Sequence, residues 1–211
     1  MAVSLKKHWE SVYEKKRPTK VSWYQDRPVK SLNFILKNKV SKNAQIIDIG
    51  GGASTLVDHL LAKRFNNVTV LDISEKAIRA AKKRLGKNAK NATWIQSDIT
   101  KAKLPHEYYD VWHDRALFHF LIKKSDRKKY VKVLKNVIRS NGHVIISTFS
   151  LSGPPKCSGL PIRRYDAKTI GNELGACFIL LKTLKEAHKT PLGAIQNFTW
   201  CFFTKKRAET L

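Results

Sequence analysis

Acidic residues are scarce in this chain. Its 211 positions hold 16 Asp and Glu against 41 Lys and Arg, a formal charge of +25 at pH 7. Such a balance favours acidic surfaces or nucleic acid as neighbours. The cations are dominated by lysine and dispersed, with clusters at Lys82-Lys83-Arg84, Lys123-Lys124, Arg127-Lys128-Lys129 and Lys205-Lys206-Arg207. These fall on solvated helix faces or chain ends, so nucleic-acid contact is expected only as a nonspecific effect of charge. Long apolar runs are also missing. Nothing approaches the roughly 18 uncharged residues of a membrane-spanning helix. The opening stretch, Met1 to Glu10, has no apolar segment after its charges, which argues against a secretory signal and for a cytoplasmic protein. Cysteine is limited to Cys157, Cys177 and Cys201, widely spaced and without a Cys-x-x-Cys pair, so free thiols are expected and neither a zinc site nor a redox pair. Internal repeats and low-complexity tracts are absent.

What is present is enough for a core: 42% of the residues are hydrophobic, and the length suits one domain over 1–211. Within it, 1–44 reads as a helical lid segment, 45–149 as a ligand-binding half, and 150–211 as a substrate loop with closing strands.

Positions 45–54 read Gln-Ile-Ile-Asp-Ile-Gly-Gly-Gly-Ala-Ser, an apolar run that meets an acid and breaks into three glycines. A second run, Val68 to Leu71, closes on Asp72, and a third, Trp94 to Ser97, closes on Asp98. In an open α/β sheet the ligand crevice lies beyond the carboxyl ends of the strands, so acids repeated there can meet one ligand. A hydroxyl-rich, amine-bearing nucleoside suits them. A dinucleotide site wants Gly-x-Gly-x-x-Gly, whose third glycine packs the helix on the strand. Here Gly50-x-Gly52-x-Ser54 leads into Thr55 instead.

The surrounding pattern alternates strand and helix. Leu5 to Lys16 and Pro28 to Lys39 carry apolar residues at helical spacing, with Pro28 suited to a first turn. Between them Trp23 and Tyr24 either cap the core or form a lid. Ser54 and Ser74 are placed to cap helices with apolar faces at Leu56, Val57, Leu60, Leu61 and at Ala77, Ile78, Ala81, Leu85. Tyr109 to Asp114 and Gly142 to Phe149 read as the fourth and fifth strands, on either side of a helix through Tyr130 and Leu134. A turn-rich loop covers 150–164, which is long for a compact domain. A helix over Ala167 to Leu174 and β-rich runs at Cys177 to Leu184 and Asn197 to Phe203 follow. The order predicts an α/β fold: one doubly wound, Rossmann-like, mostly parallel seven-stranded sheet with right-handed crossovers, its N-terminal helices over the ligand.

The order Asp48-x-Gly50-x-Gly52 is similar to the first motif of class I S-adenosylmethionine-dependent methyltransferases. With Asp72, Asp98 and the fourth strand, the resemblance covers nearly the whole chain. Trp9, Tyr13, Trp23-Tyr24 and Asp114-Arg115 further resemble the elongation factor 1A and citrate synthase lysine methyltransferases. That branch has Asp-Lys-Gly-Thr where this chain reads Asp114-Arg115-Ala116-Leu117. Trp112 to Leu121 and Cys157 to Pro161 also look like uncharacterised bacterial methyltransferases.

The resemblance implies S-adenosylmethionine as cofactor, with S-adenosylhomocysteine as product. It implies a cofactor site of Trp23, Tyr24, Asp48, Gly50, Gly51, Gly52, Ser54, Thr55, Asp72, Ile73, Asp98, Ile99 and His113. Asp72 would take the ribose hydroxyls and Asp98 the adenine amine. Plainer readings stand beside these: Asp72 as a cap near Ser74, Asp98 as a turn acid, His113 as a packed core histidine. His113, Asp114 and Tyr165 are the candidate catalytic bases. Asp114, Arg115 and Arg163 are the candidate substrate contacts; Asp114 and Arg115 equally suit a mutual ion pair, and Arg163 a solvated loop. No Asn-Pro-Pro-Tyr or Pro-Cys motif occurs, which disfavours exocyclic-amine and cytosine C5 methylation. A small-molecule or unresolved acceptor leads, with a protein lysine as the alternative. An RNA-associated or non-catalytic cofactor-binding protein is a further alternative.

Overall fold

The structure, a computed structural model, describes residues 4–38 and 40–207. The end of the second expected helix at Lys39, and the first three residues of the stretch read against a secretory signal, lie outside them.

Seven strands form the main sheet: β1 (Gln45–Ile49), β2 (Asn67–Asp72), β3 (Ala92–Gln96), β4 (Tyr109–Arg115), β5 (Ile138–Phe149), β8 (Phe178–Lys189) and β9 (Ile195–Lys205). Their order is β3-β2-β1-β4-β5-β9-β8. The first five pair in parallel, and β9 runs antiparallel to both its neighbours. Among the described residues six α-helices accompany them, two before β1 and four after it: α1 (Leu5–Lys15), α2 (Val29–Lys37), α3 (Leu56–Ala62), α4 (Glu75–Leu85), α5 (Lys124–Val137) and α6 (Ala167–Leu174). The chain passes from β1 out to β2 and β3, then returns to β4 on the other side of β1. That reversal opens a crevice at the carboxyl ends of β1 and β4.

Apolar runs in the central strands fit a sheet covered on both faces. Alternate residues serve opposite cores. Ile47, Ile49 and Trp112 pack with Tyr130 and Leu134 of α5 and Ile170 and Leu174 of α6. Ile46, Val68, Val70 and Val111 pack with Leu32 and Ile35 of α2 and Leu56 and Leu60 of α3.

Several boundaries differ from the sequence reading. Pro28 precedes α2 as its cap rather than occupying the first turn. Thr55, not Ser54, is the N-cap of α3, while Ser54 Oγ accepts from the Leu56 amide at 3.1 Å. Ser74 caps α4 as expected, accepting from the Ala77 amide at 3.1 Å. The 150–165 loop contains a small separate hairpin, β6 (Lys156–Cys157) with β7 (Leu160–Pro161). The last two strands run longer than their apolar stretches, pairing with each other from Phe178–Lys205 to Lys189–Ile195, and β8 at the sheet edge leaves Ile179, Leu180 and Leu181 exposed. An edge strand needs only one paired flank, so polar residues continue it. Among the described residues no helix is long and apolar enough to cross a membrane.

Candidate active site

The glycine turn at the end of β1 is shaped by close approach. The amides of Gly50 and Gly51 both donate to the Leu71 carbonyl, at 2.7 and 3.3 Å, which ties the turn to β2. Gly50 has φ +70°, in the left-handed region that favours glycine. A Cβ on Gly51 would strike the Asp48 carboxylate; one on Gly52 would strike the Asp72 carboxylate and lie 2.7 Å from Ala77 Cβ. The glycines thus leave room for two acids beneath the backbone.

Asp48 is 3% exposed, and its Oδ1 meets His113 Nδ1 at 2.7 Å. The other ring nitrogen, Nε2, lies 2.9 Å from Ser31 Oγ. Because the carboxylate only accepts, His113 donates from Nδ1, and its Nε2 pairs with the Ser31 hydroxyl. Both nitrogens are occupied.

Asp72 ends β2 with Oδ1 accepting from the Ser74 amide at 2.7 Å. Burial pushes its pKa up to about 7, against the hydrogen bonds from the Ser74 and Gly52 amides and with help from nearby Asp48. Asp98 holds the turn after β3, its Oδ1 accepting from the amide and hydroxyl of Thr100 at 2.9 and 2.8 Å.

These groups border one two-lobed cleft. One lobe is lined by Asp72, Ile73, Asp98 and Ile99 together with Trp9, Leu117, Phe120 and Cys157. The other is lined by Tyr24, Asp48, Gly51, Ser54, Thr55 and His113. Tyr13, Trp23, Gly50 and Arg115 border both. Overhead, the Trp9 ring meets Trp23 and Phe120 edge-on at 5.6 and 5.0 Å, and Trp23 Nε1 donates to the Tyr13 hydroxyl at 3.2 Å.

The end of β4 departs from expectation. Asp114 is fully buried: Oδ1 accepts from the amides of Leu117 and Phe118 at 2.9 and 3.3 Å, and Oδ2 accepts the Tyr130 hydroxyl at 2.7 Å. Burial raises its pKa to about 6 in spite of those bonds. Asp114 therefore organises the following turn instead of facing a substrate amine, and it makes no ion pair with Arg115 among the described residues. Ala116 has φ +71°, and its amide donates to the Ser147 carbonyl at 2.8 Å. Tyr165 is fully buried against Phe118 and borders neither lobe. Arg163 lies over the Tyr165 ring and reaches towards Glu173 at 3.7 Å, again outside both lobes.

A family model described as a methyltransferase domain matches residues 46–142. The human protein EEF1A lysine methyltransferase 2 is 24% identical over 161 residues, 70% of this chain and 68% of its own length. The chain is a class I, S-adenosylmethionine-dependent methyltransferase. Among solved structures, an S-adenosylmethionine-dependent methyltransferase from Anabaena variabilis matches the methyltransferase fold with TM-score 0.75 at 17% identity, covering 97% of this chain and 96% of that one. A phosphoethanolamine N-methyltransferase 2 from Haemonchus contortus gives TM-score 0.77 at 14% identity, over 98% and 61% of the two chains.

Some residues of the methyltransferase's cleft were not singled out from the sequence as site residues. Trp9 and Tyr13 stand four apart on α1 and so share a face, a legible signal. Leu117, Phe120 and Cys157 lay within stretches that resemble bacterial methyltransferases, but nothing local marked them as cleft residues until the fold brings them together.

Proposed function

We propose that the methyltransferase binds S-adenosylmethionine across both lobes and transfers its methyl group to a nitrogen, oxygen or sulfur atom of a small molecule. The carrying observation is the pair Asp72 and Asp98, at adjoining strand tips in one aromatic-roofed cleft. Asp72 accepts the ribose hydroxyls in charge-assisted bonds. Asp98 accepts from the adenine amine, with the Ile99 amide at a ring nitrogen. The methionine end extends towards Asp48, Ser54 and Thr55. The cofactor supplies an activated methyl group on a sulfonium, and the faces of Trp9 and Trp23 suit such a cation.

In-line methyl transfer gains mainly from proximity and alignment. The residues match that economy, since His113 is held at both nitrogens, Asp114 serves a turn and Tyr165 lies outside the cleft. None of the three is placed to act as base: as the acceptor's lone pair displaces the thioether from the methyl carbon, the proton it sheds passes to solvent.

A second reading, methylation of a protein lysine, is favoured by the similarity to human EEF1A lysine methyltransferase 2. Transfer of a tritiated methyl group into a cell lysate, separated into protein, RNA and small molecules, decides between them. Label in small molecules supports the first reading, label in protein the second, and a chain that neither labels nor binds S-adenosylmethionine refutes both.

A further inference from the structure

Arg115 has incomplete hydrogen bonding at the centre of the cleft. Its Nη1 donates to the Trp23 carbonyl at 2.9 Å, and its Cζ lies 4.9 Å from the centre of the Phe198 ring. Its Nε and Nη2 are shut off from solvent and have no partner among the described residues. Nε and Nη2 share one edge of the guanidinium, a spacing that matches the two oxygens of a carboxylate or phosphate. A buried donor left unpaired costs the desolvation of that group, so an edge of this kind calls for a planar oxyanion as its complement.

The surroundings fix the sign of that complement. The carboxylates lining the cleft are Asp48, Asp72 and Asp98; Asp48 is bound to His113, and the other two serve the nucleoside in the proposed function. Glu186 and Asp48 act on Arg115 from beyond ion-pair distance, and Glu186 already accepts Trp200 Nε1 at 2.7 Å. His119 and His188 are kept neutral by burial and by the Arg115 charge itself. The other neighbours, Trp9, Leu117, Phe120 and Cys157, are apolar or neutral.

We infer that the methyl acceptor carries an anionic oxygen group, a carboxylate or phosphate, which pairs side-on with Nε and Nη2 of Arg115 while its apolar body rests against Trp9, Trp23 and Phe120. The inference rests on the S-adenosylmethionine reading and narrows its acceptor. It disfavours a lysine ammonium, which would meet a buried cation there. The methionine carboxylate of the cofactor is the one other oxyanion close by, and titration calorimetry on the full chain separates the two sources.

S-adenosylhomocysteine is titrated first; a wild-type chain that fails to bind it refutes the proposed function and the inference with it. Benzoate and benzylamine, one ring with opposite charges, are then titrated onto the saturated protein. Benzoate is expected to bind and benzylamine not. Arg115→Gln should weaken benzoate by about 10-fold or more, and Arg115→Lys should recover part of the loss. S-adenosylhomocysteine affinity, which also reports folding of the variants, should move by less than about 2-fold in both. A preference for benzylamine, an absence of benzoate binding, or benzoate binding unchanged in Arg115→Gln overturns the inference. An equal loss of S-adenosylhomocysteine affinity in Arg115→Gln assigns the edge to the cofactor and overturns it too.

Discussion

The Glu10 carboxylate accepts three hydrogen bonds from the start of α4: the Ser74 hydroxyl at 3.1 Å, the Glu75 amide at 2.8 Å and the Lys76 amide at 3.1 Å. Through it α1, which has no fully buried residue, is fastened to a helix N-terminus whose dipole favours negative charge. Burial opposes the charge of Glu10, but these donors outweigh it and hold the carboxyl below its ordinary value of 4.5. The contribution is therefore present above pH 4.5 and is lost as the pH falls through the lowered value.

Glu10→Ala should lower stability by about 1 kcal/mol and weaken S-adenosylhomocysteine binding by loosening the aromatic roof. Trypsin should cut faster at Lys6, Lys7, Lys15 and Lys16, the cationic flanks of α1. Cleavage at the wild-type rate would show that α1 is held by other contacts.

Asp72 has the opposite sign. Its pKa is raised from 3.8 to about 7, so between those values the folded state retains a proton that the unfolded chain releases. Its contribution then makes the empty fold less stable as pH rises across that window. Asp72→Asn should raise Tm at pH 8 while weakening S-adenosylhomocysteine by roughly 100-fold, the loss of two charge-assisted bonds. Wild-type affinity should climb as the pH passes about 7 and the carboxylate ionises. A flat pH profile in calorimetry would contradict the ribose role.

Gly52→Ala tests the close approach below the turn. The added methyl collides with the Asp72 carboxylate and Ala77 Cβ, and overpacking of this kind costs about 1–3 kcal/mol. Loss of S-adenosylhomocysteine binding together with a lowered Tm is expected. An alanine variant that binds normally would mean that the turn can shift without disturbing Asp72.

For Asp114, substitution should act on folding. Asp114→Ala leaves the Leu117 and Phe118 amides without their acceptor and should cost about 3 kcal/mol. Asp114→Asn keeps an acceptor oxygen without a charge that burial disfavours, so its loss should be small. Thermal unfolding at pH 8 checks the ranking; equal damage from both variants would remove the turn role.

The acids at the strand ends were legible in the sequence because their signals are local. Asp48, Asp72 and Asp98 each follow an apolar run, and β1, β2 and β3 end at or within two residues of these acids. The end of β4 resisted for the converse reason. Asp114 and Arg115 are adjacent in sequence, yet the strand sends one into a turn and the other to the cleft, a division that charge alone cannot reveal. Tyr165 and Arg163 sit in a loop rich in turn residues, where function was expected, but the hairpin β6–β7 brings Cys157 to the cleft instead. Glu10 finds its partners 64 to 66 residues away, beyond the reach of any local pattern.

Ala116 occupies the left-handed bend after β4, at the position where the lysine methyltransferase branch has glycine in Asp-Lys-Gly-Thr. A side chain there costs about 1 to 2 kcal/mol, so Ala116 holds a conformation that glycine would adopt without strain. The tension lies between Arg115, which borders both lobes, and Leu117, whose side chain closes over Gly50. Relaxing one residue thus couples the two walls of the cleft: whatever resets the bend at Ala116 moves the guanidinium and the cover of the glycine turn together.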